Sequence, residues 1–230
     1  QGTVGTRSAT FDFSASEPGV TYECSLDGAA YIACTDPVTF NNLADGPHTL
    51  NVRAKDQAGN VDPSPATRTW TVDTTAPDTS ILSGPSGPTN NPSATFGFSS
   101  NENNVTYECS LDGGAFVACS NPATFNNLAD GPHLLAVRAK DQAGNVDTTP
   151  ATRSFTVDTG PPDTFIVTAP AQLTTQKSAT FNFASNEMNV TYECSLDGGA
   201  FASKPQSLGV SFTGMACFQF GKLGRPRHIS

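Results

Sequence analysis

Thr106-Tyr107-Glu108-Cys109-Ser110-Leu111-Asp112-Gly113 decides the fold of this chain. Together with Val105, its apolar residues alternate with polar ones, the period-two signature of a strand with one buried face. Asp-Gly then supplies a tight turn. Thr-Tyr-Glu-Cys also occurs at 21–24 and 191–194, and Ser-Ala-Thr-Phe at 8–11, 93–96 and 178–181, always offset by 85 residues. Residues 21–79 match 106–164 at 45 of 59 positions, and Ser178–Phe201 matches the second copy at 21 of 24 before the likeness stops. The exchanges Tyr31/Phe116, Ile32/Val117 and Trp70/Phe155 keep apolar character, as a packed interior would tolerate.

Working outward within one copy, Thr95–Phe98, Leu135–Ala139 and Arg153–Val157 alternate in the same way. Turn chemistry separates the runs at 101–104, 112–114, 129–132 and 143–145. With a further strand near Thr79–Leu82, each copy holds about seven short strands and no helical stripe. The expected fold class is all-β: tandem immunoglobulin/fibronectin-III-like antiparallel β-sandwiches joined by short Pro-containing linkers. Residues 1–76 form the first copy without its first strand, 77–161 a complete second copy and 162–201 a partial third. Residues 202–230 are an aberrant basic tail. The linkers, Val72–Thr79 and Val157–Thr164, contain prolines that end the preceding strand and stiffen the connection, so a rod is expected.

Composition narrows the function. Charged residues are 14% of the 230, below the roughly 25% usual for globular chains. All 21 acidic residues lie at or before Asp197. Residues 1–201 hold 8 basic residues and therefore carry 8 − 21 = −13, and the tail adds +4, giving the net −9. That balance argues against a nucleic-acid binder held by phosphate contacts. No apolar run approaches a membrane span of about 20 residues, and no segment resembles a signal peptide. A start at Gln1 reads as a piece of a longer protein.

Cys24/Cys34 and Cys109/Cys119 share C-x9-C spacing with an Asp-Gly turn between them. The sulfurs should face each other across a hairpin, which favours cross-strand disulfides over zinc ligation. Disulfides imply an extracellular or cell-surface location. Cys194 has no such partner, because position 204 is Lys204, which leaves Cys217. The end of the third copy reads either as a truncated or frame-shifted terminus or as substitute strands within Ser207–Phe220, where Val210 and Phe212 alternate with polar residues.

No nucleophile elbow, phosphate-binding glycine loop or metalloprotease motif is present, so no enzyme is expected. His48 and His133 are equivalent residues after an Asp-Gly-Pro turn and read as turn-proximal strand residues. Asn104 and Asn189 begin glycosylation-type sequons and read as ordinary loop residues.

Tyr-Glu-Cys-Ser-Leu-Asp-Gly (107–113), Leu-Ala-Asp-Gly-Pro-His (128–133), Val-Arg-Ala-Lys-Asp-Gln-Ala-Gly-Asn (137–145) and Thr-Val-Asp-Thr (156–159) together resemble a bacterial immunoglobulin-like repeat family of large secreted or cell-surface, adhesin-like proteins. The resemblance covers about residues 8–201. It implies a non-catalytic stalk, spacer or adhesive arm, in some relatives with calcium at domain junctions. In a seven-strand sandwich the linker meets the near-pole loops of the next copy. Asp73, Asp78, Glu102, Asp141, Asn145 and Asp147 would gather there, with oxygen chemistry suited to Ca2+; solvated turn acids on an acidic rod are the alternative. No cofactor is otherwise required. The expected partners are neighbouring repeats of the same chain, with a surface glycan or protein as a further candidate. Rival functions are a carbohydrate- or host-surface-binding module and the accessory region of a secreted enzyme. Tyr22, Tyr107 and Tyr192 alternate inward, which weighs against the first.

Overall fold

Asp-Gly forms a left-handed pair of residues in both full copies: φ is 52° at Asp27 and 77° at Gly28, and 53° and 75° at Asp112 and Gly113. Two successive positive φ values give the type I′ twist that a tight hairpin needs. The computed structural model of the chain describes residues 2–169, 181–196, 199–204 and 215–220. Val210 and Phe212 lie outside the described residues. The chain divides into two compact units, one of Gln1–Gly84, Thr95–Thr124 and His133–Ser154 and one of Pro85–Ala94, Phe125–Pro132 and Phe155–Ser230.

The first copy contains β1 (Thr3–Val4), β2 (Ala9–Phe11), β3 (Thr21–Leu26), β4 (Ile32–Cys34), β5 (Val38–Phe40), β6 (Gly46–Lys55) and β7 (Ala66–Val72). One sheet has the order β1-β7-β6-β3-β4 and the other pairs β2 with β5. The two sheets meet face to face. Phe11 packs tilted against Trp70 with ring centroids 4.7 Å apart, and Phe13 meets Tyr22 edge-on at 4.9 Å. Cys24, Leu43, Leu50, Val52, Trp70 and Val72 form the buried core between them.

The second copy contains β8 (Thr79–Ser83), β9 (Pro88–Thr89), β10 (Ala94–Ser100), β11 (Thr106–Leu111), β12 (Val117–Cys119), β13 (Ala123–Phe125), β14 (Gly131–Lys140) and β15 (Ala151–Val157). Its sheet orders are β12-β11-β14-β15-β9 and β13-β10-β8. The larger sheet repeats the order of the first copy, strand for strand. This two-sheet plan, with a two-residue strand parallel to the last strand of each copy, is all-β and immunoglobulin/fibronectin-III-like. The two-residue β9 makes eight strands where alternation alone suggested about seven. So short a strand, beginning at a proline, leaves no alternation to read.

The remaining strands are β16 (Thr164–Thr168), β17 (Asn182–Ser185), β18 (Thr191–Leu196), β19 (Ala202–Lys204) and β20 (Met215–Phe220). β16 pairs with β17, and β18 lies between β19 and β20. Thus β20 runs beside β18 as β14 runs beside β11, with Cys217 opposite Cys194 in register. Cys194 is disulfide-bonded.

Disulfides join Cys24 to Cys34 and Cys109 to Cys119, with a Cα separation of 5.8 Å in each. The facing arrangement expected from the spacing is not the one found. Cys24 stands opposite Ile32 and Cys34 opposite Tyr22, so each bridge is diagonal. The physical reason is the turn: Asp27-Gly28 lies ahead of the midpoint between the two cysteines, and the hairpin closes early around it.

The exchanges between copies also sort differently from expectation. Only Trp70/Phe155 is interior, at 7% and 3% exposure. Ile32 and Val117 are exposed. Tyr31 and Phe116 instead carry the guanidinium groups of Arg53 and Arg138 over their rings at 3.9 and 4.2 Å. Each arginine also pairs with the glutamate directly across the ladder, Glu23 or Glu108, at 2.7 Å. A flat apolar face that supports a cation tolerates Tyr or Phe for reasons other than core packing.

Candidate cation site at the first linker

β7 delivers Asp73 to the start of the linker, where its N–H donates to the Val4 carbonyl at 3.0 Å. The β10–β11 loop supplies Glu102 and the turn after β14 supplies Asp141. One carboxylate oxygen from each of these three residues lies within 4.8 Å of the others. Two oxygens on one calcium at 2.3–2.6 Å are at most about 5 Å apart, so this spacing fits a shared ion. Burial pushes the Glu102 carboxyl above its usual range, and the charges of Asp73 and Asp141 push it further.

The Asp-Gln-Ala-Gly-Asn turn fixes this geometry. Asn145 donates its backbone N–H to Asp141 Oδ1 at 2.8 Å and its Nδ2 to Asp141 Oδ2 at 2.7 Å. The same Nδ2 donates to the Asp73 carbonyl at 2.8 Å, tying the turn to the linker. Asn60 locks Asp56 identically in the first copy. Asn145 therefore braces Asp141 and the backbone of Asp73.

Asp78 and Asp147 are not among the three converging carboxylates. The Asp78 backbone exchanges hydrogen bonds with Asn101, receiving its N–H at 3.2 Å and donating to its Oδ1 at 2.7 Å. Asp147 is buried at 2% exposure and accepts the Thr149 N–H at 2.7 Å. Burial pushes its carboxyl up, but hydrogen bonds from Thr79 and Thr149 outweigh this and hold it below the usual range. In the second unit Glu187 is raised by burial and by Asp158 and Asp163.

A second constellation was not legible as a site in the sequence. His48 is buried at 8% exposure, stacked at 5.5 Å on Trp70. Its Nδ1 lies 2.7 Å from Asp27 Oδ2 and its Nε2 lies 2.8 Å from the Ala44 carbonyl. Both partners are acceptors, an arrangement that favours the doubly protonated imidazolium. The Ala44 hydrogen bond raises its pKa most, followed by Asp27. Asp27 is lowered: its burial is outweighed by the Thr49 N–H and by His48. His133 and Asp112 repeat the pair at 2.7 Å. The constant 21-residue separation of Asp and His in both copies was the available signal.

Replacing His48 with Phe should destabilise the first copy by about 2 kcal/mol, the usual loss for a charged hydrogen-bonded group. The histidine's contribution is full below the unfolded value near 6.5 and declines as pH rises through the raised folded value. The aspartate's contribution disappears as pH falls through its lowered value. Melting curves of both proteins from pH 4 to 9 should therefore differ most in weakly acidic solution and converge at alkaline pH.

No family model and no curated protein matches the chain. Among solved structures it is similar to the fibronectin(III)-like modules of Clostridium thermocellum CbhA, at 16% identity and a TM-score of 0.43, covering 68% of this chain and 87% of that one. It is also similar to the FN1–FN3 domains of chicken CNTN1, at 9% identity and TM-score 0.37, covering 97% and 93%. The human Desmocollin-1 ectodomain matches at 12% identity and TM-score 0.36, covering 93% of this chain and 53% of that one.

Proposed function

We propose that this chain is a non-enzymatic, extracellular structural segment, a stalk or spacer within a large secreted or surface-attached adhesin-like protein. One observation carries the reading: the same disulfide-clipped, pinned-turn unit recurs 85 residues on with the same strand order. The repeated features of each copy hold its own hairpins, which suits mechanical endurance outside the cell. Outside β20, the exposed aromatics among the described residues are Phe165 and Phe201, and no tyrosine or tryptophan is exposed. That gives a glycan-binding face little to stack on.

Calcium belongs to the same proposal. Asp73, Glu102 and Asp141 would hold the ion, which would neutralise the repulsion that raises Glu102 and stiffen the linker between copies. Glu102→Gln makes the test two-sided. In chelator the variant should melt no lower than the parent, because a strained carboxylate has been removed. In millimolar calcium the parent should gain several degrees and the variant should not. Equal melting temperatures of the parent in calcium and chelator would remove calcium from the proposal. Binding of the whole chain to a glycan array, or hydrolase activity in it, would overturn the spacer reading.

A further inference from the structure

His48 on β6 is held between a fixed partner and a looser one. Asp27, at its Nδ1, keeps its place without the ring. Its own N–H donates to the Thr49 carbonyl and its Oδ1 accepts the Thr49 N–H, each at 2.8 Å. The Ala44 carbonyl, at Nε2, belongs to the loop between β5 and β6. Leu43 anchors that loop: it is buried and donates its N–H to the Arg7 carbonyl at 3.0 Å. Ala44 and Asp45 beyond it are exposed, and Gly46 follows with φ at 131°, a conformation that favours glycine.

Asp45 carries the loop to the linker. The Thr74 hydroxyl donates to it, 2.9 Å from Oδ1 and 3.0 Å from Oδ2. Arg7 Nη2 joins them, 3.3 Å from Asp45 Oδ1 and donating to the Thr74 hydroxyl at 3.2 Å. The second copy repeats both ends of the arrangement. There His133 lies 2.7 Å from Asp112, and Asp130 Oδ1 accepts the Thr159 N–H at 3.0 Å and its hydroxyl at 2.8 Å. Around the His48 ring, Asp27 is the charged group in contact, and Trp70 of β7 stacks on it without charge. The Arg7–Asp45 pair stands one residue beyond Ala44.

An imidazolium donates to both acceptors, whereas a neutral imidazole has a single N–H. The carboxylate is the stronger acceptor and keeps that proton. Nε2 then turns a lone pair toward the Ala44 carbonyl at a spacing of 2.8 Å, which sets two acceptors against each other. The exposed loop can give way to water; Asp27, bonded twice to Thr49, cannot. We infer that His48 is a proton-operated latch on the first linker: its imidazolium holds Ala44 and Asp45 where Asp45 grips Thr74, and its neutral ring releases the loop and Thr74 with it. The latch is closed below the raised folded value of the ring and opens as pH rises through it. The inference rests on neither the spacer reading nor calcium.

The test follows the ¹⁵N-labelled whole chain by NMR in chelator from about pH 6 to 9.5, which brackets a raised histidine. Ring ¹⁵N shifts report protonation and tautomer of His48, and backbone relaxation reports motion at Thr74. Loss of the Nε2 proton and the onset of fast motion at Thr74 should share one midpoint. Coupling is reciprocal, so Thr74→Val should lower the His48 midpoint by about 0.3–0.7 pH unit, the worth of one hydrogen bond. In His48→Gln, which does not titrate, motion at Thr74 should be independent of pH over this range. If that variant does not fold, the parent and Thr74→Val decide the matter. Thr74 remaining rigid while His48 titrates overturns the latch. So does a neutral ring that keeps its Nε2 proton, or a His48 midpoint that Thr74→Val leaves unmoved.

Discussion

Phe96→Ala should destabilise the second copy by about 3–5 kcal/mol, the range for a large aromatic removed from a packed interior. Phe96 is completely buried in β10. Its ring packs so closely against Gly84 that a Cβ on that glycine would collide with it, so the surroundings have little room to relax into the cavity. For a unit of this size the loss corresponds to a fall in melting temperature on the order of 15 °C or more. The first copy supplies an internal control. Its equivalent, Phe11, touches Trp70 and Phe40 at 4.7 and 6.5 Å but is only half-buried. Phe11→Ala should therefore destabilise clearly less. Calorimetry of the two variants beside the parent checks both the size and the order of the effects. Equal losses would mean that the lower burial of Phe11 leaves the core of the first copy no looser than that of the second.

Removing the Cys109–Cys119 bridge by paired alanine substitution should destabilise the second copy by about 2–3 kcal/mol, the chain-entropy value for a loop of this length. The sequence separation is 10 residues. Cys109 is 2% exposed, so truncation of its side chain adds a small packing loss. Melting followed by circular dichroism with and without reductant separates the contributions. The parent should fall in reductant, and the alanine pair should already sit near the reduced value. A parent indifferent to reductant would show that the bridges do not hold the hairpins.

Much of this architecture was readable from local patterns. Period-two alternation around Tyr107-Glu108-Cys109 and the Asp112-Gly113 turn specify a hairpin, and an 85-residue repeat multiplies it. Three kinds of feature escaped. Apolar character did not distinguish Trp70, which faces the core, from Ile32, which faces water, because on the short β4 one residue's shift exchanges faces. Cysteine spacing indicated the bridges but not their diagonal geometry, which follows from where Asp27-Gly28 places the turn. Of six candidate junction residues, Asp73, Glu102 and Asp141 bring carboxylate oxygens together, Asn145 braces Asp141 and the Asp73 backbone, and Asp78 and Asp147 stand outside that group.

By itself, then, the sequence determined the all-β class, the copy number and the two covalent clips, because these depend on residues close together in the chain. Only the tertiary structure decided that His48 is buried between Asp27 and the Ala44 carbonyl and which acids converge at the linker. The pairings of charged groups among them join residues 21 to 68 positions apart. Their meeting is set by sheet order and loop position, which no local pattern encodes.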